Sequence, residues 1–258
     1  MVLTNGKEDE NGTFSGNGRH HQGGLGFALY DGVHLAWLAV TVALIVAGCL
    51  LYRRLDESGK SRFRKTVAVM LVADEVFKLV LLFVGGTFTK NYLPLHLCNI
   101  NIFLTVFHAW KPTDAVGKFL YLVCVPAALA AVLFPAWTGL PVMNFMHLHS
   151  FTLHILLALY PIVLMAGGEV KPRVADVPKC LGILLAEAAA VYGVNLLLDT
   201  NYFYLMEAPS GNPLYWFQQN WGNHWLGFPI LVAAALLLML LPVWITNVVK
   251  KKKTSPEV

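Results

Sequence analysis

The chain has 258 residues, of which 57% are apolar and only 13% charged, with a formal net charge of +4. Soluble domains carry about 25% charged residues, so the composition excludes a soluble globular enzyme, a disordered protein and a nucleic-acid-binding module. Runs such as WLAVTVALIVAGCLLY and ILVAAALLLMLLPVWI approach the roughly 20 residues that cross a bilayer.

The fold class predicted from these runs is an all-α integral membrane protein, a bundle of seven transmembrane helices. Residues 1–27, polar and rich in Gly and Asn, are expected to be a disordered tail, with no secretory signal. Residues 28–249 hold the membrane domain, with spans predicted over 33–52, 66–84, 94–110, 115–134, 145–165, 177–198 and 226–245. Each is read as a helix because backbone polar groups in lipid must be satisfied within their own segment. Residues 250–258, opening with four lysines, form a basic tail suited to anionic lipid heads.

Basic residues orient the bundle. Arg53, Arg54, Lys60, Arg62, Arg64 and Lys65 fill the first connection, Lys111 and Lys118 flank the third, and Lys171, Arg173 and Lys179 flank the fifth. Lys250 to Lys253 follow the last helix, whereas the opposite side has only Lys7, Arg19 and Lys90. The positive-inside rule therefore predicts an outer N-terminus and a cytoplasmic C-terminus.

Polar groups inside a membrane are costly and mark functional sites. Six of the nine histidines (His34, His96, His147, His149, His154 and His224) fall at or near the outer ends of predicted helices. With them come Asn101, Asn195, Asp199, Asn201 and Tyr202, while Glu75 and Lys78 lie within the second span, spaced to neutralise one another.

Of the four cysteines, all in apolar stretches, Cys98 has the most reactive setting. Pro94 suits the first turn of a helix, which places Cys98 about one turn in. There the positive end of the helix dipole favours a thiolate and an apolar surround opposes one. A nearby imidazole that takes the thiol proton resolves the conflict as a Cys–His pair. At 1.5 Å per residue, Cys98 lies about 7 Å and His154 about 13 Å below the outer boundary, so a contact between packed helices is geometrically allowed. Cys49, Cys124 and Cys180 have no nearby histidine in sequence and read as packing residues. Two rival readings stand beside this one. In the first, outer histidines with Asp199 hold zinc and activate water for lipid hydrolysis. In the second, Glu75, Asp74 and the histidines line the path of a transporter or sensor.

The string YLPLHLCNINIFL (92–104), with HSFTLH (149–154) and NLLLDTNYFYLMEAPSGNPL (195–214), resembles the YwaF-type bacterial integral membrane family, which is related to the animal transmembrane protein 164 acyltransferases. The resemblance implies a seven-helix fold and transfer of a fatty acyl chain between phospholipids. The essential cysteine of those acyltransferases corresponds to Cys98. Their essential histidine corresponds to His154, with His149 the rival. Asn99 stands where bacterial relatives often carry Asp.

Together these readings predict a phospholipid acyltransferase or acyl hydrolase that works through a thioester on Cys98. His154 acts as base, Glu75 orients it, and Asn101, Asn195 or Asn201 binds the oxyanion; His96, His147, His149, Asp199 and Tyr202 support the site. Its substrates are membrane phospholipids and lysophospholipids, and no cofactor or metal is needed. Because acyl-CoA is cytosolic, a site at the outer face implies a membrane lipid as acyl donor. The host is the plasma membrane for a bacterial chain and the endoplasmic reticulum for an animal-like one; the oligomeric state is left open.

Overall fold

A computed structural model describes residues 26–254, so most of the predicted N-terminal tail lies outside the described residues. The described chain is helical, with no strand among the described residues. Its principal helices are α1 (Gly32–Tyr52), α2 (Glu57–Val84), α3 (Leu97–Trp110), α4 (Asp114–Phe119), α5 (Val125–Leu133), α6 (Phe145–Ala166), α7 (Val177–Leu198), α8 (Pro213–Trp221) and α9 (Gly227–Thr254). α9 runs through the four lysines that the sequence assigns to a separate tail.

Six helical stretches among the described residues are long and apolar enough to cross a membrane: Gly32–Tyr52, Lys90–Trp110, Asp114–Leu133, Phe145–Ala166, Val174–Leu198 and His224–Trp244. The chain is therefore a multi-pass integral membrane protein. Helix α2 is not among the six because Asp74, Glu75 and Lys78 interrupt its apolar run. It begins at Glu57, nine residues before the predicted start, capped by Asp56, whose carboxylate accepts from Gly59 N–H at 2.8 Å.

Helix α6 is the hub, packed against α1, α2, α3 and α5. Of an 18-residue apolar stretch within α6, 72% of residues are buried, against 6% of the corresponding stretch in His224–Trp244. Leu35 and Val42 on α1, Leu185 and Leu197 on α7, and Leu237 on α9 are exposed, as expected of faces solvated by lipid.

Two prolines shape the centre. Before Pro126 the helix widens into a π segment, Leu120–Cys124, and Val125 N–H bonds five residues back to the Leu120 carbonyl. Pro161 has no N–H to offer the Leu157 carbonyl four residues back. The Cys124 thiol donates to that carbonyl at 3.7 Å, which accounts for Cys124 as a structural residue.

One end of the bundle, where α1, α3 and α6 begin, carries most of the histidines; we call it the histidine end. The other, the basic end, is clamped by buried polar ties. Arg64 donates to Tyr52 Oη at 3.0 Å and to Glu169 Oε2 at 2.6 Å, and Tyr52 donates to Glu169 Oε1 at 2.5 Å. At the histidine end, Asp31 caps α1 by accepting from the N–H groups of Val33 and His34, and also accepts from Ala28 N–H. The His34 and Ala28 N–H groups hold its carboxyl below the usual carboxylate range. Stability from a depressed carboxyl is present above the unfolded-state value and lost as pH falls through the folded one. Acidification is therefore expected to unfasten the start of α1, with Asp31→Asn blunting the acid dependence of amide exchange at residues 31–35.

Candidate active site

The first turn of α3 differs from its predicted form. Lys90–Tyr92 is a separate 3-10 turn, His96 is the N-cap, and helical geometry begins at Leu97, three residues later than predicted. Cys98 is therefore the second residue of the helix. The helix supplies no acceptor for the N–H groups of Leu97, Cys98 and Asn99, because the first turn lacks carbonyls one turn back. The Cys98 sulfur also lies against its own backbone N–H. The N–H groups of the first α3 turn therefore lie beside a half-buried thiol, a setting of the kind that can receive an anion. The sequence reading missed these donors because it placed Pro94 inside the helix.

His154 lies on α6, which packs against α3. Its Nδ1 donates to the Ser150 carbonyl at 2.6 Å. A carbonyl only accepts, so in the neutral ring Nε2 carries the lone pair, the form a general base requires. His96 is within electrostatic reach of His154 and of Lys78. The His96 ring also meets Tyr202 edge-on at 5.1 Å and Tyr204 at 5.7 Å. Tyr204, in turn, is within electrostatic reach of Cys98. The loop carrying Tyr202 and Tyr204 thus brings its rings against His96, the N-cap of the helix that bears Cys98.

A second layer lies between α2 and α6. His149 Nδ1 meets Asp74 Oδ2 at 2.7 Å, and its Nε2 is 3.9 Å from Glu75 Oε2. Lys78 donates to Glu75 Oε1 at 2.6 Å, with both side chains buried. The neutralising pair expected from the Glu75–Lys78 spacing is formed. The predicted orienting role of Glu75 is not: the ring of His154 is held by the Ser150 carbonyl, and Glu75 faces His149. Both nitrogens of His149 face carboxylates.

Other predicted residues are engaged elsewhere. His147 accepts from Trp37 Nε1 at 2.8 Å among Phe27, Trp37 and Phe151, so it fastens α6 to α1. Asn195 has both ends of its amide committed. Its Nδ2 donates to the Tyr202 carbonyl at 3.0 Å, and its Oδ1 accepts from Thr200 Oγ1 at 3.0 Å and Tyr202 N–H at 2.9 Å. Asn201 is tied to Met206 and Glu207. Both asparagines are loop fasteners, their amides tied to the segment after α7. Asp199 ends α7 in the left-handed region, with an exposed side chain 3.6 Å from Lys90. Among the described residues, no three His, Cys, Asp or Glu side chains converge as metal ligands would. Asn101 is different: it is 0% exposed, and neither amide atom has a partner.

The loop fastened by Asn195 is strained. Phe203 and Tyr204 lie at φ of 59° and 56°, a region that costs a bulky residue on the order of 1–3 kcal/mol. Tyr202 holds the loop from the other side by donating to the Lys90 carbonyl. Asn195→Ala is expected to remove three hydrogen bonds, lowering stability by about 2–4 kcal/mol, and to release Tyr204 from His96. Thermal unfolding of the purified protein checks the first effect.

The sequence pattern of the TMEM164 family matches residues 29–241, from just before α1 into α9. The chain belongs to the TMEM164 family. Comparisons with curated proteins and with solved structures gave no match. The TMEM164 match takes in every residue from the start of α3 to the loop after α7.

Proposed function

We propose that this TMEM164-family protein is a membrane phospholipid acyltransferase, with acyl hydrolysis as its side reaction. The observation that carries the proposal is the setting of Cys98: a thiol in the first helical turn, beside unpaired backbone N–H groups, on a helix packed against the one bearing His154. In this reading α2 is a seventh span that tolerates its charges by pairing them inside the bundle. The basic end is cytoplasmic and the site opens to the outer leaflet of the plasma membrane or the lumenal leaflet of the endoplasmic reticulum.

The reaction requires His154 Nε2 to reach the Cys98 thiol. Nε2 takes the thiol proton as sulfur attacks the ester carbonyl of a phospholipid. The N–H groups of the first α3 turn bind the oxyanion. The carbon–oxygen bond to the glycerol breaks, and the proton passes to the departing lysolipid oxygen. In the second half, Nε2 takes the proton of an acceptor lysolipid hydroxyl, which attacks the thioester. The carbon–sulfur bond breaks and the thiolate regains its proton. His149 is the weaker choice as base, since both its nitrogens face carboxylates.

The test is to incubate the purified protein with a phospholipid labelled in its acyl chain and trap the intermediate. A hydroxylamine-sensitive label on the peptide containing Cys98, which lysolipid discharges, is expected. Label appearing only when acyl-CoA replaces phospholipid would overturn the donor assignment. Turnover that survives Cys98→Ala would overturn the mechanism.

A further inference from the structure

Cys98, Asn101, Thr105 and His108 recur at intervals of three, four and three residues, so they form one stripe down α3. Its length is about 15 Å. Of the four, only His108 has a side-chain hydrogen-bond partner, Tyr160. Asn101 and Thr105 are both 0% exposed, and Asn101 Oδ1, Asn101 Nδ2 and Thr105 Oγ1 have no hydrogen-bond partner among the described residues. Threonine in a helix commonly bonds back to a carbonyl of the preceding turn, and Thr105 does not.

The facing wall is also polar at places where a helical wall normally is not. Cys124, within electrostatic reach of Cys98, belongs to the π segment. Beside it is the Leu157 carbonyl, freed by Pro161. Next along α6 is Tyr160, whose hydroxyl meets His108 Nδ1 at 2.9 Å. His108 then borders a cavity of about 150 Å³ at the basic end, lined also by Thr113, Asp114 and Glu169. That cavity has room for several waters.

We propose that this seam binds a file of water molecules joining the Cys98 end of α3 to the cavity at the basic end. Buried amide and hydroxyl groups are normally paired, and water with several polar partners is the ligand that pairs them in a polar interior. Asn101, Thr105, the Leu157 carbonyl and the Tyr160 hydroxyl offer those partners at successive levels.

Hydration stands apart from the acyl-transfer reading, but its use rests on that reading. A water held at Asn101 is about one turn from Cys98. Its attack on the thioester forms a carbon–oxygen bond and breaks the carbon–sulfur bond. One water proton passes through His154 Nε2 to the sulfur, and a free fatty acid leaves. The file therefore supplies the water for hydrolysis from the side of the membrane opposite the lipid substrate.

The experiment is hydroxyl-radical footprinting by X-ray radiolysis of the full chain in lipid nanodiscs, read by mass spectrometry. Cys124 and Tyr160, which are 1% and 0% exposed, are expected to be oxidised well above Phe151, equally buried but away from the seam. Thr105→Val, which keeps the shape and removes the hydroxyl, is expected to lower both labels about fivefold. In the same variant the ratio of released fatty acid to transferred acyl chain falls while transfer is retained. Cys124 and Tyr160 as silent as Phe151 would overturn the seam. Labels insensitive to Thr105→Val would overturn the file as drawn. Labelling as expected without any acyl turnover would uphold the hydrated seam and overturn the acyl-transfer reading.

Discussion

Cys98→Ala is expected to abolish the acyl-enzyme and reduce phospholipid acyl transfer to the uncatalysed background, whereas Cys49→Ala leaves it intact. In the proposed mechanism the thiol forms and breaks the covalent bond, and alanine at the same helical position keeps the first-turn N–H groups but has no nucleophile. His154→Ala is expected to lower turnover by about 10²–10⁴-fold, the range for a lost general base. A readout independent of lipid chemistry accompanies it. In the proposed mechanism Nε2 accepts the thiol proton, so the His154→Ala protein should alkylate more slowly at Cys98 with a small lipid-soluble reagent. Rates for Cys49, half-buried near the C-terminal end of α1, are expected to be unchanged and serve as the internal standard. His149→Ala separates the two imidazoles, since it removes a partner of Asp74 and leaves the Ser150-held ring in place.

The second large effect is on stability. Lys78→Met is expected to destabilise the protein by about 3–5 kcal/mol, because it strands a buried carboxylate that had one close cation. The Lys78–Glu75 pair is 2.6 Å long, its side chains are 7% and 8% exposed, and Glu75 Oε2 has no hydrogen-bond partner. The double substitution Lys78→Met with Glu75→Leu is expected to recover most of that loss, since an apolar pair of similar volume replaces the ions at little cost. Thermal unfolding of the four proteins in one lipid nanodisc composition closes the cycle. If both single variants and the double variant unfold alike, the pair does not couple α2 to the bundle. Glu75 also faces His149 at 3.9 Å, so the single Lys78 variant is further expected to disturb the His149–Asp74 contact.

Helix existence was legible from sequence wherever a long apolar run had no internal charge, because the bilayer requires such runs and leaves them few alternatives. The ends were less legible. Pro94 is compatible with a first helical turn, yet the 3-10 turn at Lys90–Tyr92 sits before it and delays the helix to Leu97. That shift of three residues moved Cys98 from about one turn into the helix to its second residue. Helix α8 was not foreseen, because nine residues rich in Trp, Phe and Gln fall short of a span. The π segment was invisible for a different reason. Pro126 signals a break in the hydrogen-bond ladder but not how the preceding turn relaxes.

Asparagines illustrate the same limit at the site. Asn101, Asn195 and Asn201 look alike as candidate donors in a string of letters. Asn195 and Asn201 spend their amides on the loop that carries Tyr202 and Tyr204, and Asn101 is buried with both atoms unpaired. Which of these holds depends on where the chain turns after α7, a property of backbone dihedrals at Asp199, Phe203 and Tyr204.

Sequence alone established the membrane-embedded, all-helical character of this chain and marked Cys98 as the candidate nucleophile, because apolar length and the scarcity of buried polar groups are imposed residue by residue by the lipid. Tertiary structure alone decided which polar groups meet. It gave His154 its Ser150 hydrogen bond, gave His149 its carboxylates, and left Asn101 and Thr105 unpaired on one stripe with Cys98. Hydrogen bonds act over about 3 Å, so their pattern depends on helix rotation and register, which hydrophobic spacing fixes only to within a turn.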